Sequence, residues 1–398
     1  MIGKIPTLKI GKLTAEIPII QGGMGVGISL SGLASAVANE GGIGVIAAVG
    51  LGMAGKYLQS SMSENNSRAL RQEIKTAHSK TDGLIGVNIM MALSDYDSLF
   101  EVSVEEKVDV ILMGAGLPLK LPARIVDQGL ANIHTSFIPI VSSGRATKII
   151  FQHWAKKYQH IPDAVVVEGP LAGGHLGFKA AELYTESNSL ESLLPEVLAA
   201  VAPFEIQFGK KIPVIVAGGI YSGADIYRFI RLGASGVQMA TRFVATHECD
   251  ADIRFKEMYV NCQKDDLRII ESPVGLPGRA INNDFLESVS AGNKKPFKCP
   301  WKCLRTCNYT EVPYCIANAL ISARKGRFGS GFAFAGANAY KVNEIISVKE
   351  LVNALMREYK HEDLTMKVSA DREIYVPFRP DFRSVVKNKT NADSVAVL

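Results

Sequence analysis

The sequence predicts an α/β fold, a (β/α)8 barrel followed by a C-terminal extension, on three observations. Eight short runs rich in Val and Ile recur through the first 245 residues. They do not alternate strictly between apolar and polar residues, so both faces of each strand are expected to be buried, as in a parallel sheet covered by helices. Helix-like stretches separate them, and eight such repeats suit a closed barrel better than an open doubly wound sheet, which remains the alternative arrangement.

In order, the expected strands are IPIIQGG (17–23), IGVIAAVG (43–50), LIGVNIM (84–90) and VDVILMG (108–114). SFIPIVSS (136–143), DAVVVEG (163–169), IPVIVAGG (212–219) and SGVQMAT (235–241) complete the eight. Between them SLSGLASAVANE (29–40), RATKIIFQHWAKKY (145–158) and SGADIYRFIRLG (222–233) carry helical patterning. After residue 245 the alternation stops. A helix is expected over 250–263, a Pro/Gly loop at SPVGLPGRA (272–280) and a Lys/Cys segment over 293–315. A helix near 313–325, the Gly-rich GRFGSGFAFAGANAYKV (326–342), an amphipathic helix over 348–360 and a polar tail follow. The expected division is a barrel over 1–245 and a helical and loop extension over 246–398 that carries the Cys-rich segment 293–315.

Composition narrows the function. An apolar content of 47% supports a large core, and 44 Lys+Arg against 39 Asp+Glu give a net charge of only +5. That balance argues against nucleic-acid or membrane partners. The N-terminus lacks the continuous apolar core of a signal peptide, and no apolar run reaches the roughly 20 residues that span a bilayer. A cytoplasmic location is the resulting expectation.

Small residues end most of the strands, at IIQGGMG, VIAAVG, ILMGAG, VEGPLAGGH, IVAGG and QMAT. In a barrel those carboxyl ends form the active-site face, where glycine lets the backbone approach a ligand. AGGIYSGADI (217–226), which enters a helix, and QMATRF (238–243) look like a phosphate cradle, since a helix N-terminus adds unpaired N–H groups and a positive dipole end.

IIQGGMG, VNIM (87–90), EGPLAGGH, PVIVAGGI and QMATRF, in that order, resemble the nitronate monooxygenase (2-nitropropane dioxygenase) family, whose pattern the flavin-dependent enoyl-ACP reductases largely share. The resemblance runs from about residue 6 to 290 and resumes at GFAFAGANAYKV. It implies an FMN-binding TIM barrel with the flavin across the strand ends. Gly22, Gly23 and Met24 would lie along the isoalloxazine, Asn88 would touch the flavin, and Glu168 stands where Gln is frequent. Gly173 and Gly174 match the glycines beside the cofactor; Gly218, Gly219, Gln238, Met239, Ala240 and Thr241 would hold the phosphate. His175 matches the active-site histidine, a residue that can donate or accept a proton. Two positions depart from the pattern: Leu171, where a polar or acidic residue is common, and Ala240, where Gly is usual.

Cys299, Cys303, Cys307 and Cys315 are spaced C-x3-C-x3-C-x7-C, a set able to hold a 4Fe-4S cluster or tetrahedral zinc. Helical spacing would put the first three on one face, although Pro300 limits that helix. The neighbouring lysines are expected to lower the thiol pKa values. Arg145 and Arg279 are secondary candidates, for an anionic substrate and for facing the site or anchoring its loop. Cys249 and Cys262 are expected to pack structurally.

Three functions follow. The first is an FMN-dependent oxidase of alkyl nitronates that uses O2 and His175. The second is an enoyl-ACP or enoyl-CoA reductase, using NAD(P)H or electrons passed through an iron–sulfur cluster, with the basic segment 294–305 meeting acyl carrier protein or CoA. The third is a non-catalytic flavoprotein serving an electron-transfer protein. Each is compatible with a homodimer.

Overall fold

A computed structural model of the protein describes residues 5–54, 61–295, 297–299 and 301–374. Pro300 and the polar tail beyond residue 374 lie outside the described residues. The strands are β1 (Leu8–Ile10), β2 (Leu13–Ala15), β3 (Ile19–Gln21), β4 (Gly44–Ala47), β5 (Ile85–Met90), β6 (Val110–Gly114) and β7 (Ser136–Val141). They continue as β8 (Val165–Glu168), β9 (Gly174–His175), β10 (Val214–Ala217), β11 (Gly236–Met239), β12 (Leu267–Glu271) and β13 (Pro277–Ile281). The helices are α1 (Ser31–Asn39), α2 (Met62–His78), α3 (Tyr96–Glu105), α4 (Ala123–Asp127), α5 (Gly144–Tyr158) and α6 (Leu190–Phe208). After them come α7 (Gly223–Arg231), α8 (Thr241–Val244), α9 (Ile253–Val260), α10 (Asp284–Ser290), α11 (Ile316–Arg324) and α12 (Val348–Ile374).

The eight expected strands form one parallel sheet in the order β3-β11-β10-β8-β7-β6-β5-β4. The bridge Ile20–Ile43 joins its two ends, so the sheet closes into a (β/α)8 barrel. Gln21, fully buried, reinforces that seam: its Oε1 accepts from Val45 N at 3.0 Å and its Nε2 donates to Gly22 O.

Burial on two faces explains why the strands read as unbroken apolar runs. In β6, Val110 and Leu112 face the barrel interior, whereas Ile111 and Met113 pack outward with the helices. In β8, Val166 points in and Val165 and Val167 point out. The β1–β2 hairpin, which turns at Gly11 (φ 57°), adds Leu8, Ile10 and Ala15 to the interior cluster.

The extension is built into the barrel face. β12 and β13 pair as an antiparallel hairpin, and β13 continues the ladder onto β9, with Gly278 opposite His175 and Arg279 opposite Gly174. The expected loop over 272–280 is therefore a strand from Pro277 onward. Helix α12 lies against α7, where a Cβ on Gly223 would fall 2.1 Å from Leu355 O. Tyr227 and Tyr359 meet edge to face at that contact, 5.4 Å between centroids. No described helix is long and apolar enough to cross a membrane.

Candidate active site

Every residue assigned above to cofactor contact, together with His175, lines one cavity of about 320 Å³ at the carboxyl ends of the barrel strands. The late Gly-rich segment reaches the same cavity: Phe334, Ala335 and Gly336 form part of its wall.

Close backbone approach accounts for several glycines. A Cβ on Gly23 would lie 2.5 Å from Asn88 Cβ, and one on Gly173 would lie 2.5 Å from Ala335 C and Gly336 N. Gly218 and Gly219 both hold φ of +90°, a region side chains disfavour. Beside them Gln238 Oε1 is buried with no hydrogen-bond partner among the described residues. Buried acceptors normally find donors, so this atom is suited to a hydroxyl or ring N–H of a bound molecule. A floor of bare backbone and an unpaired acceptor fit a flat cofactor with a polar chain.

The helical part of the expected phosphate cradle is not available. At the start of α7, Gly223 N donates to Glu358 Oε2 at 2.6 Å, and Tyr221 N and Ser222 N both donate to Asp225 Oδ2 at 3.0 Å. Two carboxylates already use the amides and the dipole end, so the cradle narrows to Gly218, Gly219 and Gln238–Thr241.

His175 follows β8 by a loop that the extension holds. Arg279, buried, donates from Nη1 to Pro170 O at 2.7 Å and Ala172 O at 2.6 Å, so it anchors the loop. Leu171, the departure from the family pattern, is anchored through its backbone, its O accepting from Ala337 N at 3.0 Å. His175 Nε2 lies 2.7 Å from Ser272 Oγ, and its ring meets Phe334 edge to face at 4.9 Å. Burial lowers the His175 pKa to about 4, so the imidazole is neutral near pH 7. With Nε2 held, Nδ1 is the nitrogen left for a bound molecule. Burial also raises Glu168, in the same wall, to about 7.

Sequence reasoning missed Ser272. It stands 97 residues from His175, inside a stretch whose Pro and Gly signalled only a loop. Arg145 is exposed and absent from the cavity wall, which removes it as a substrate ligand there. Cys249 and Cys262 are buried in the main core.

The four clustered cysteines depart from two expectations. The described residues of the 299–315 segment are not helical, and Lys302 sits at φ 47°. Three of the thiols are not activated: burial first, then Cys315, Cys299 and Cys307, push Cys303 up to about 12. Cys307 and Cys315 also rise, again mainly through burial, so desolvation outweighs the lysines. Among the described residues, no three His, Cys, Asp or Glu side chains are grouped to hold one metal ion.

The nitronate monooxygenase family model matches residues 6–358. The chain is 30% identical over 279 residues to a Mycobacterium tuberculosis (3aS,4S,5R,7aS)-5-hydroxy-7a-methyl-1-oxo-octahydro-1H-indene-4-carboxyl-CoA dehydrogenase, covering 70% of this chain and 67% of that protein. FabK from Thermotoga maritima superposes with a TM-score of 0.67 at 28% identity, over 89% of this chain and 96% of FabK. A nitroalkane oxidase from Streptomyces ansochromogenes also reaches 0.67, at 23% identity, over 88% of this chain and 98% of its own, and shares the fold. With a matching family model over most of its length and this site at the barrel mouth, the chain belongs to the nitronate monooxygenase family and is an oxidoreductase.

Proposed function

We propose that the protein is an FMN-dependent oxidoreductase that oxidises alkyl nitronates with O2, with His175 acting on the substrate. The observation that carries this reading is the neutral His175, oriented by Ser272, in a glycine-floored cavity at the barrel mouth. Bound FMN would supply a two-electron acceptor that passes reducing equivalents on to O2. Gly22, Gly23 and Asn88 would support its ring, and Gly218, Gly219 and Gln238–Thr241 its phosphate end. His175 would hold or move a proton at Nδ1, while Met90, Leu93 and Phe334 keep water from the cavity.

A second reading, reduction of an enoyl thioester, is favoured by the cationic segment beside the mouth. Lys294, Lys295, Lys298, Lys302 and Arg305 flank Cys303 and Leu304, which line the cavity, and would suit the phosphates of CoA or an acyl carrier protein. Anaerobic stopped-flow mixing separates the two. Bleaching of the flavin by a nitronate without NAD(P)H is the expected result; bleaching only by NAD(P)H, reversed by an enoyl-CoA, would replace the first reading with the second.

The cavity floor can be tested without turnover. Gly23→Ala forces a methyl into the space of Asn88 Cβ, so FMN affinity should fall at least about tenfold, or about 1.4 kcal/mol, in a fluorescence titration. Unchanged affinity would remove Gly23 from the flavin floor.

A further inference from the structure

We propose that Cys299, Cys303, Cys307 and Cys315 form the binding site of a four-iron, four-sulfur cluster set into the wall of the active-site cavity. This goes beyond the nitronate reading and does not depend on it. Two observations and the chemistry of the ligand set carry it.

The first is mutual proximity. Cys303 lies within electrostatic reach of Cys315, Cys299 and Cys307; Cys307 is within reach of Cys299 and Cys315, and Cys315 of Cys299. Every pairing of the four is therefore present, although 16 positions separate the first cysteine from the last. None of the six cysteines is in a disulfide.

The second is backbone built around sulfur. Lys302 N donates to Cys299 Sγ at 3.3 Å, and the chain then turns through Lys302 at φ 47°. N–H groups directed at ligand sulfurs are what iron–sulfur sites use to stabilise and tune the cluster.

The ligand chemistry then separates a cluster from zinc. Zinc takes thiolates at about 2.3 Å, which crowds the four sulfurs together. A cubane cluster binds each thiolate on a separate iron, and so accepts sulfurs that are neighbours without being in contact. The surrounding lysines would offset the negative charge of such a centre.

The segment is fixed in place against the barrel. Leu304 bridges Leu93, Ser94 N donates to Cys303 O at 3.1 Å, and Arg305 N donates to Ala92 O at 3.0 Å. Cys303, the most buried of the four, also lines the cavity, so a cluster held there would adjoin the space assigned to substrate and flavin.

The test uses the full chain, purified without oxygen and reconstituted with ferrous iron and sulfide. We expect about four iron and four sulfide per chain, and a paramagnetic resonance signal after dithionite reduction. Cys307→Ser, at a partly exposed position, and Cys303→Ser should each lose most of that iron, whereas Cys262→Ala should keep it. Circular dichroism and FMN titration of the same variants separate loss of the cluster from loss of the fold. Zinc without sulfide, no metal at all, or full iron retained in folded Cys307→Ser would each overturn the proposal. Because the readout is iron and sulfide, it is unaffected by whether nitronates prove to be substrates.

Discussion

His175→Ala is expected to retain FMN while losing roughly 10²–10⁴-fold in turnover, the range general acid–base groups contribute. The side chain is anchored on three sides: by the β9–β13 ladder, by Ser272 at Nε2 and by Phe334 against the ring. Such anchoring suits a group that must present one nitrogen in one direction, and truncation removes the nitrogen without moving the glycine floor. The pH dependence supplies a second readout. With a pKa of about 4, His175 should impose no inflection near 6.5, and any acid limb it causes should lie near 4. Stability follows the same group. Its folded pKa is depressed from 6.5, so the contribution is fully present above 6.5 and is lost as pH falls toward 4, with a ceiling of about 3 kcal/mol. A rate profile measured beside the melting profile distinguishes chemistry from unfolding. Full turnover in a flavin-loaded His175→Ala protein would remove the assignment.

The parts of this molecule that were legible in the sequence are those governed by local rules. β6, β8 and β10 read as strands because both faces are buried, one by the barrel interior and one by helices. α6 gave no comparable signal, since Pro195 and Pro203 lie inside it and its stability comes from packing Leu194, Val197 and Val201 on the sheet. β13 was obscured for a related reason. Pro277 opens it and Gly278 follows, both loop residues by propensity; Gly278 is needed because a Cβ there would lie 2.7 Å from the Phe334 ring. The cavity residues were found through ordered motifs at the strand ends. Ser272 was not, and Arg279 was named as a loop anchor without its partners: they act across 97 and 107–109 residues of chain, and neither sits in a motif that announces its partner. The α7 cradle failed for the same reason, because Glu358, 135 residues away, occupies its first amide.

Glu168→Gln should make the flavin-free protein more resistant to unfolding at pH 8 and leave it nearly unchanged at pH 4. Burial raises the Glu168 carboxyl from 4.5 to about 7, with no cation named among the causes. A group raised in the folded state contributes stability that is fully present below 4.5 and is lost as pH rises through 7. The difference between variant and wild type should therefore grow from pH 4.5 to about 7 and then level off, at no more than about 3 kcal/mol and less where the open cavity admits water. Glutamine keeps the shape and removes the titration, which is why it isolates the charge. A difference that stays flat from pH 4 to 8 in denaturant titrations would mean that Glu168 ionises as an ordinary surface carboxylate. The same desolvation that keeps His175 unprotonated keeps Glu168 protonated, so between about pH 4 and 7 neither contributes a charge to the cavity. A neutral Glu168 spares an anionic substrate such as a nitronate the repulsion that its carboxylate, formed above pH 7, would exert. Glu168→Gln should accordingly keep its affinity for an anionic ligand at alkaline pH, where the wild type loses it.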